Sequence, residues 1–272
     1  NGCTPLFFAA QNGHAAVAQL LLAADGIKVN QAKNNGCTPL FIAARYGHAK
    51  VVQLLLKRDA DVNQAAEDGC TPLFIASQHG HAEVTHLLLA RGADVNQAKN
   101  NGCTPLWIAA ECGHEKVVWL LLEHYADMNK ANNNGWTPLS IAAQNGHAEV
   151  AHLLLERGAD LSQVTNIGCT PLWIAAQNGH AAVVQLLLKC GADVNRANNI
   201  ETTPLSIAAR YGHEEVVRLL SAADGIKVNQ ATNNGYTPLS SMIGRLWPGH
   251  NTIDTSAAES TRGNHLGKLK LE

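Results

Sequence analysis

Cysteine and histidine are the residue types in this chain that could hold a metal ion or act as nucleophile and base. The chain has seven cysteines among 272 residues, and five of them recur at intervals of 33 or 34 residues or a multiple of these. This spacing matches no zinc pattern. Packed helices lie about 8–10 Å apart, which holds equivalent cysteines beyond disulfide reach. We therefore predict free thiols and no metal site.

The histidines are also largely periodic. Seven of the 13 follow a glycine and stand ten residues after a threonine, which indicates a structural role in a repeat. His79, His81 and His86 could be drawn as a metal cluster, but His81 belongs to the periodic set and no acidic or thiol partner has ligand spacing. No nucleophile elbow, phosphate-binding glycine loop or zinc-protease motif occurs in the sequence. We therefore predict no enzymatic activity, no catalytic residues and no cofactor.

Charge and hydropathy argue against two further classes of protein. The chain has 20 Lys+Arg against 22 Asp+Glu, a formal net charge of −2, and no block of basic residues. We therefore predict no binding to nucleic acid or to an anionic membrane surface. Apolar runs such as Val183–Leu188 are far shorter than the ~20 residues that span a bilayer. The first residues have neither an initiator methionine nor the layout of a signal peptide, and we expect a fragment or processed product.

The chain is built from an internal repeat. Thr-Pro-Leu recurs eight times at spacings of 33 or 34 residues, followed in most units by Gly-His, a leucine-rich run and a variant of Ala-Asp-Val-Asn. We predict one array over residues 1–243 and a divergent C-terminal cap or flexible tail over residues 244–272. The seven full units begin near Gly2, Gly36, Gly69, Gly102, Gly135, Gly168 and Glu201, and a partial eighth begins at Gly235.

The second unit shows why each unit should form two helices. Thr38 before Pro39 is typical of a helix start, because the hydroxyl accepts a hydrogen bond from a free backbone N–H and proline has no N–H to leave unpaired. Gly47 suits the left-handed conformation that ends a helix. Residues 51–56 place apolar side chains three and four apart, which predicts a second helix. Two such helices cannot bury their apolar face alone, so we expect stacked units with a shared core.

The period, Thr-Pro-Leu, Gly-His and Ala-Asp-Val-Asn together closely resemble the ankyrin repeat family over about residues 1–243. The resemblance implies an all-α solenoid of stacked helix-turn-helix units with β-hairpin-like fingers. It also implies a concave surface that binds protein partners, and no catalysis. We therefore expect a non-enzymatic protein-protein interaction scaffold that binds a protein partner in the concave groove and on the finger tips.

Two departures from the family pattern concern that surface. The family usually has His after Thr-Pro-Leu, whereas this chain has Phe, Trp or Ser there, so the hydrogen-bonding role of that His is predicted to be lost. The aromatic side chains at this position either pack between units or form an exposed row in the groove. The Asp that commonly opens a unit is replaced, for example by Lys33 and Ala66, which leaves the family's finger-to-finger hydrogen bond in doubt.

The resemblance assigns partner contacts to the finger tips, the residue before Thr-Pro and the two residues before Gly-His. Several units carry the same residue at these positions, so we assign specificity to the exceptions and to the aromatic row, because Tyr, Trp and Arg are enriched at interface hot spots. Trp119 is predicted on the outer face, without an assigned role. The candidate partner-binding residues are Phe41, Arg45, Tyr46, Phe74, His79, Trp107, Glu111, Cys112, Trp136, Trp173 and Tyr211.

The resemblance also predicts a modification. Asn63 and Asn96 each end the pattern Leu-x5-Asp-Val-Asn, so both are candidate substrates for the asparaginyl hydroxylase that acts on ankyrin domains. Free thiols indicate a reducing compartment, and we expect an intracellular monomer in the cytoplasm or nucleus. Two alternatives stay open: an engineered or consensus-like array without a natural partner, and a regulatory or targeting region excised from a larger multidomain protein.

Overall fold

The computed structural model describes residues 2–230, which form fourteen α-helices and contain no β-strand. The helices come in seven pairs, one per unit, so the prediction of stacked helix-turn-helix units is confirmed. The partial eighth unit at Gly235 and residues 244–272 lie outside the described residues. The first helices of the pairs are α1 (Pro5–Gln11), α3 (Pro39–Arg45), α5 (Pro72–Gln78), α7 (Pro105–Glu111), α9 (Pro138–Asn145), α11 (Pro171–Asn178) and α13 (Pro204–Tyr211). The second helices are α2 (Ala15–Ala23), α4 (Ala49–Leu56), α6 (Ala82–Leu89), α8 (Glu115–Glu123), α10 (Ala148–Glu156), α12 (Ala181–Lys189) and α14 (Glu214–Ser221).

Each first helix begins at the proline of its Thr-Pro pair. In the second unit the Thr38 hydroxyl accepts a hydrogen bond from the Phe41 backbone N–H at 3.1 Å. The same bond caps the other first helices. Pro39 fills the first helical position, where no N–H is needed. The first helices therefore all start in the same register within their units.

Neighbouring units bury one another's apolar faces. The first helices pack in one row and the second helices in another, and leucines such as Leu73 and Leu106 are fully buried between them. The first unit shows what a preceding neighbour contributes. Phe8 is 52% exposed there, whereas its equivalent Ile42, in a unit that has a predecessor, is 6% exposed. The core is therefore shared between units, as expected for a solenoid.

The segments between units are hairpin-like turns without strands. In the first of them the Lys33 N–H donates to the Cys37 carbonyl and the Gly36 N–H donates to the Lys33 carbonyl, each at 2.9 Å. These two bonds close a tight loop that projects between consecutive helix pairs, in the place predicted for the fingers.

Asparagine links successive fingers. The Asn133 backbone N–H donates to the Asn101 carbonyl at 3.1 Å, and its side-chain amide donates to the Asn100 carbonyl at 3.2 Å. Asn100, Asn166 and Asn199 make equivalent bonds at three further boundaries, whereas the first two fingers are joined by the backbone bond alone, from the Glu67 N–H to the Asn35 carbonyl at 3.2 Å. The finger-to-finger connection that the missing Asp had placed in doubt is thus present, because an amide one position further along the chain supplies it.

Candidate protein-binding surface

A histidine in each unit from the second to the seventh connects that unit to the preceding first helix. The His114 ring donates its Nε2–H to the Gln78 carbonyl at 3.0 Å, and Gln78 is the last residue of α5. Carbonyls at a helix end have no partner within the helix, so the histidine satisfies one across the unit boundary. This set, the histidine ladder, consists of His48, His81, His114, His147, His180 and His213. The predicted structural role of the Gly-His residues is confirmed for these six.

The glycine before each histidine makes this approach possible. Gly80 has φ of +71°, a left-handed conformation that favours glycine. A β-carbon at Gly80 would lie only 2.7 Å from Nδ1 of His114 in the next unit. Glycine is therefore required both by the backbone turn and by the ring that packs against it.

One further side chain per unit lies beside the ladder, at the residue before the glycine. We call these residues the first-helix row. The side chains of Tyr46 and His79 stand next to ladder histidines, with ring centroids 6.2 Å from His48 and 6.0 Å from His81 respectively. All members except the half-buried Asn178 are exposed. From the second to the seventh unit the first-helix row is Tyr46, His79, Cys112, Asn145, Asn178 and Tyr211.

The middle of the first-helix row is uncharged at neutral pH. Partial burial lowers the pKa of His79, and the charges of Arg45, His81 and His114 lower it further, so the imidazole is neutral at pH 7. Partial burial, and then the charge of Glu111, raises the pKa of Cys112 to about 11, which keeps the thiol protonated. Both side chains can donate hydrogen bonds without carrying charge.

Four of the candidate partner-binding residues lie in the core instead. Phe41, Phe74, Trp107 and Trp173 are only 2–5% exposed. The alternative in which these rings form an exposed row in the groove is therefore wrong, and the packing alternative holds. The reason is their place in the fold, because the third position of each first helix is covered by the neighbouring unit.

Two of these rings also form hydrogen bonds to the next unit. The Trp107 indole N–H donates to the Trp136 carbonyl at 2.9 Å, and the Trp173 indole N–H donates to the Thr202 carbonyl at 2.8 Å. The hydrogen-bonding role predicted to be lost with the family's His is thus retained at both positions, with tryptophan as the donor.

The other candidates keep accessible side chains. Tyr46 is 46% exposed, and the Arg45 guanidinium lies 5.9 Å from its ring centroid, within reach of a cation–π contact. Trp136 is half-buried at the base of a finger, where its backbone N–H donates to Oδ1 of Asn132 at 3.0 Å. Partner binding stays a prediction for Arg45, Tyr46, His79, Glu111, Cys112, Trp136 and Tyr211.

All seven cysteines are free thiols. Burial raises the pKa of Cys70 and Cys169 to about 12 and that of Cys103 to about 11, which keeps these thiols protonated and unreactive. Within residues 2–230, no group of three or more His, Cys, Asp or Glu residues is placed to hold a metal ion. No helix in that range is long and apolar enough to cross a membrane.

Asn63 and Asn96 join consecutive units through their side chains. Oδ1 of Asn63 accepts a hydrogen bond from the Asp94 N–H at 2.9 Å, and Oδ1 of Asn96 accepts one from the Asp127 N–H at 2.8 Å. Both residues are half-buried. A modifying enzyme would have to displace these bonds to reach the amides, and hydroxylation at the two sites stays a prediction.

The prediction that Trp119 lies on the outer face of the fourth unit is confirmed, whereas sequence reasoning missed Tyr125 on the same unit. Trp119 is 46% exposed there, and Tyr125 is 90% exposed with φ of +62°. The signal was present in the sequence, because three other units have glycine at the position of Tyr125 and none has an aromatic residue at the position of Trp119.

Stacked helix pairs tied together by a histidine ladder and by hydrogen-bonded fingers define an α-solenoid repeat protein. The family model for ankyrin repeats in three copies matches residues 1–66, 63–132 and 126–198, and a single ankyrin repeat model matches residues 201–233. The chain belongs to the ankyrin repeat family.

Among solved structures, the chain is similar to the crystal structure of the human ASB11 ankyrin repeat domain, with 28% sequence identity and a TM-score of 0.75. The match covers 83% of this chain and 100% of that chain. The comparison with curated proteins gave no match. Ankyrin repeats are in general non-enzymatic protein–protein interaction modules.

Replacing Trp107 by serine tests the packing of the aromatic side chains. The substitution copies Ser140 and Ser206, but it removes a buried ring and its bond to the Trp136 carbonyl. We expect the free energy of unfolding to fall by about 3–5 kcal/mol in a urea titration. Tyr46→Asn, which copies Asn145 on the exposed row, should cost less than about 0.5 kcal/mol. Equal losses for the two variants would contradict the buried position of Trp107.

Proposed function

We propose that this chain is a non-enzymatic protein-protein interaction scaffold, which binds a protein partner in the concave groove along the first-helix row and on the finger tips. The observation that supports this proposal is the row itself. Each unit from the second to the seventh presents one side chain at the same place, and these side chains differ while the buried Leu and Ile positions of the same helices are constant. Variation at an accessible position favours a role in recognition over a role in folding.

The residue types along the row favour an extended contact with anchors at both ends. Tyr46 follows Arg45 in the second unit and Tyr211 follows Arg210 in the seventh. Tyrosine and arginine are enriched among the residues that contribute most to binding. The neutral imidazole of His79 and the thiol of Cys112 lie nearer the middle and offer hydrogen bonds. A partner that spans several units would meet both kinds of surface.

The bonds between units favour binding because they fix the row before a partner arrives. The histidine ladder and the asparagine bonds between fingers hold neighbouring first helices in one arrangement. A preorganised surface loses less conformational entropy on binding. The proposal includes a monomer in a reducing compartment of the cell, cytoplasm or nucleus, which the seven free thiols favour.

Affinity enrichment from a lysate of the source cells tests the first-helix row. We compare the wild-type array with the variant Tyr46→Asn/His79→Asn/Tyr211→Asn, whose substitutions copy asparagines that other units already carry. Proteins enriched by the wild type should fall at least fivefold with this variant, because it removes the row's aromatic and imidazole contacts. Quantitative mass spectrometry of the bound fraction provides the measurement.

A second variant controls for general effects of surface substitution. Gln53→Asn/His152→Asn/Gln185→Asn changes exposed positions on the second helices and should keep the enrichment. A regulatory or targeting region of a larger protein predicts the same pattern. An engineered array without a natural partner predicts no specific enrichment, and that outcome would contradict the proposal.

Hydroxylation of Asn63 and Asn96 is a separate proposal, supported by the pattern Leu-x5-Asp-Val-Asn and by the partial exposure of both side chains. After expression in cells that contain the hydroxylase, peptides with either residue should gain the mass of one oxygen. Asn129, which follows Met128 instead of valine, serves as the internal comparison and should stay unmodified. Unmodified Asn63 and Asn96 under these conditions would refute the assignment.

A further inference from the structure

The outer surface of the fourth unit differs from that of the other described units. Trp119 is exposed on α8 where the remaining units have Gln, His or Arg. Glu115 stands one turn before it, at a position that is alanine in five other units. Tyr125 follows the same helix where three units have glycine. Three departures from the repeat thus fall in one unit.

Trp119 lines a shallow, mostly apolar cavity of about 330 Å³. Ala82 contributes from α6 and Leu153 from α10, so the cavity spans the outer helices of three consecutive units. Glu115 and Lys116 lie at its polar edge. The cavity therefore combines an aromatic face, an aliphatic wall and a carboxylate within one site.

Tyr125 adds a second exposed aromatic ring at an unfavourable backbone conformation. Its φ of +62° is one that residues with a β-carbon rarely adopt. The side chain is 90% exposed, so it buries almost no surface that could offset this strain. The equivalent residues Asp59, Gly92, Gly158 and Gly191 also have positive φ, so the conformation belongs to the turn of the repeat, and what distinguishes the fourth unit is an exposed aromatic side chain at this turn.

The helices around the cavity are acidic. Glu83, Glu115 and Glu149 have no ion-pair partner among the described residues. By contrast, Glu123 pairs with Arg157, and Glu156 lies beside His152. The flanking helices α4 and α12 contain one lysine each and no acidic residue, so the negative charge is local. The exposed charged residues of α6, α8 and α10 are Glu83, Glu115, Glu123, Glu149 and Glu156, with Lys116 as the one lysine.

We propose that this surface binds an arginine-rich segment of a protein partner. We call it the fourth-unit patch, and it consists of Glu83, Glu115, Trp119 and Glu149. A guanidinium group stacks on an indole face and pairs with carboxylates at the same time, and the aliphatic stem of arginine packs against apolar walls such as those of this cavity. The fourth-unit patch lies on the second helices, apart from the first-helix row, and is therefore a second binding surface.

Fluorescence anisotropy with a labelled eight-residue peptide of alternating arginine and glycine tests the proposal. Trp119→Gln copies Gln53, and Glu115→Ala copies Ala82, so both variants should fold as the wild type does. Each should weaken peptide binding at least fivefold. Lys116→Ala, which copies Ala182, should strengthen binding because it removes the cation at the cavity edge. A lysine–glycine peptide should bind more weakly than the arginine peptide.

Two control variants distinguish peptide binding at the fourth-unit patch from a general effect of negative charge and from binding at the first-helix row. Glu214→Ala removes the same charge at the equivalent position of the seventh unit, and Tyr46→Asn alters the first-helix row, so both should leave peptide affinity unchanged. Equal weakening by Glu214→Ala and Glu115→Ala, or unchanged affinity in Trp119→Gln, would overturn the proposal. Self-association that Trp119→Gln abolishes, without peptide binding, would assign the patch to a second copy of the chain and would also overturn it.

Discussion

The contact between the glycine that follows one first helix and the histidine ring of the next unit is the constraint on which the array depends. The ring lies against the glycine backbone, and its Nε2–H satisfies a carbonyl near the end of the preceding helix. The helix cannot satisfy that carbonyl by itself. Because the bond recurs at every boundary between the first and seventh units, consecutive units meet with the same geometry and their shared core continues along the array.

A fixed boundary allows other positions to vary in size. Trp107 and Trp173 reach forward to units whose equivalent residues are Ser140 and Ser206, so a large side chain is followed by a small one. Each serine hydroxyl is 3.0 Å from the hydroxyl of its capping threonine and hydrogen-bonded to it. The same tolerance leaves the first-helix row and the outer surface of the fourth unit free to differ from the rest of the array.

The period, the helix starts and the pairing of helices could be predicted from the sequence because each follows from local chemistry repeated in register. The side chain of Trp107 could not be placed in this way, because the serine at Ser140 suggested an accessible position and only the neighbouring unit shows that the site is buried. The bonds between fingers could not be predicted either, because they depend on contacts between units. The family's Asp is absent, and the side chain of Asn133, one position further along the chain, makes the bond to the neighbouring finger instead. The burial of Trp107 is a property of the stack rather than of one unit, whereas the exposure of Trp119 could be predicted because the equivalent residues Gln53 and Gln185 are polar.

The stability of two glycine variants tests the boundary contact most directly. Gly80→Ala and Gly92→Ala both place a β-carbon on a residue with positive φ, +71° and +80° respectively, but only the first meets the His114 ring, since nothing lies within 4 Å of the second. Both should incur a backbone cost of about 1–2 kcal/mol. In urea titrations Gly80→Ala should lose about 2 kcal/mol more than Gly92→Ala, because it also displaces the ring and leaves the Gln78 carbonyl unpaired. Equal losses in the two variants would contradict the claim that this contact holds the units together.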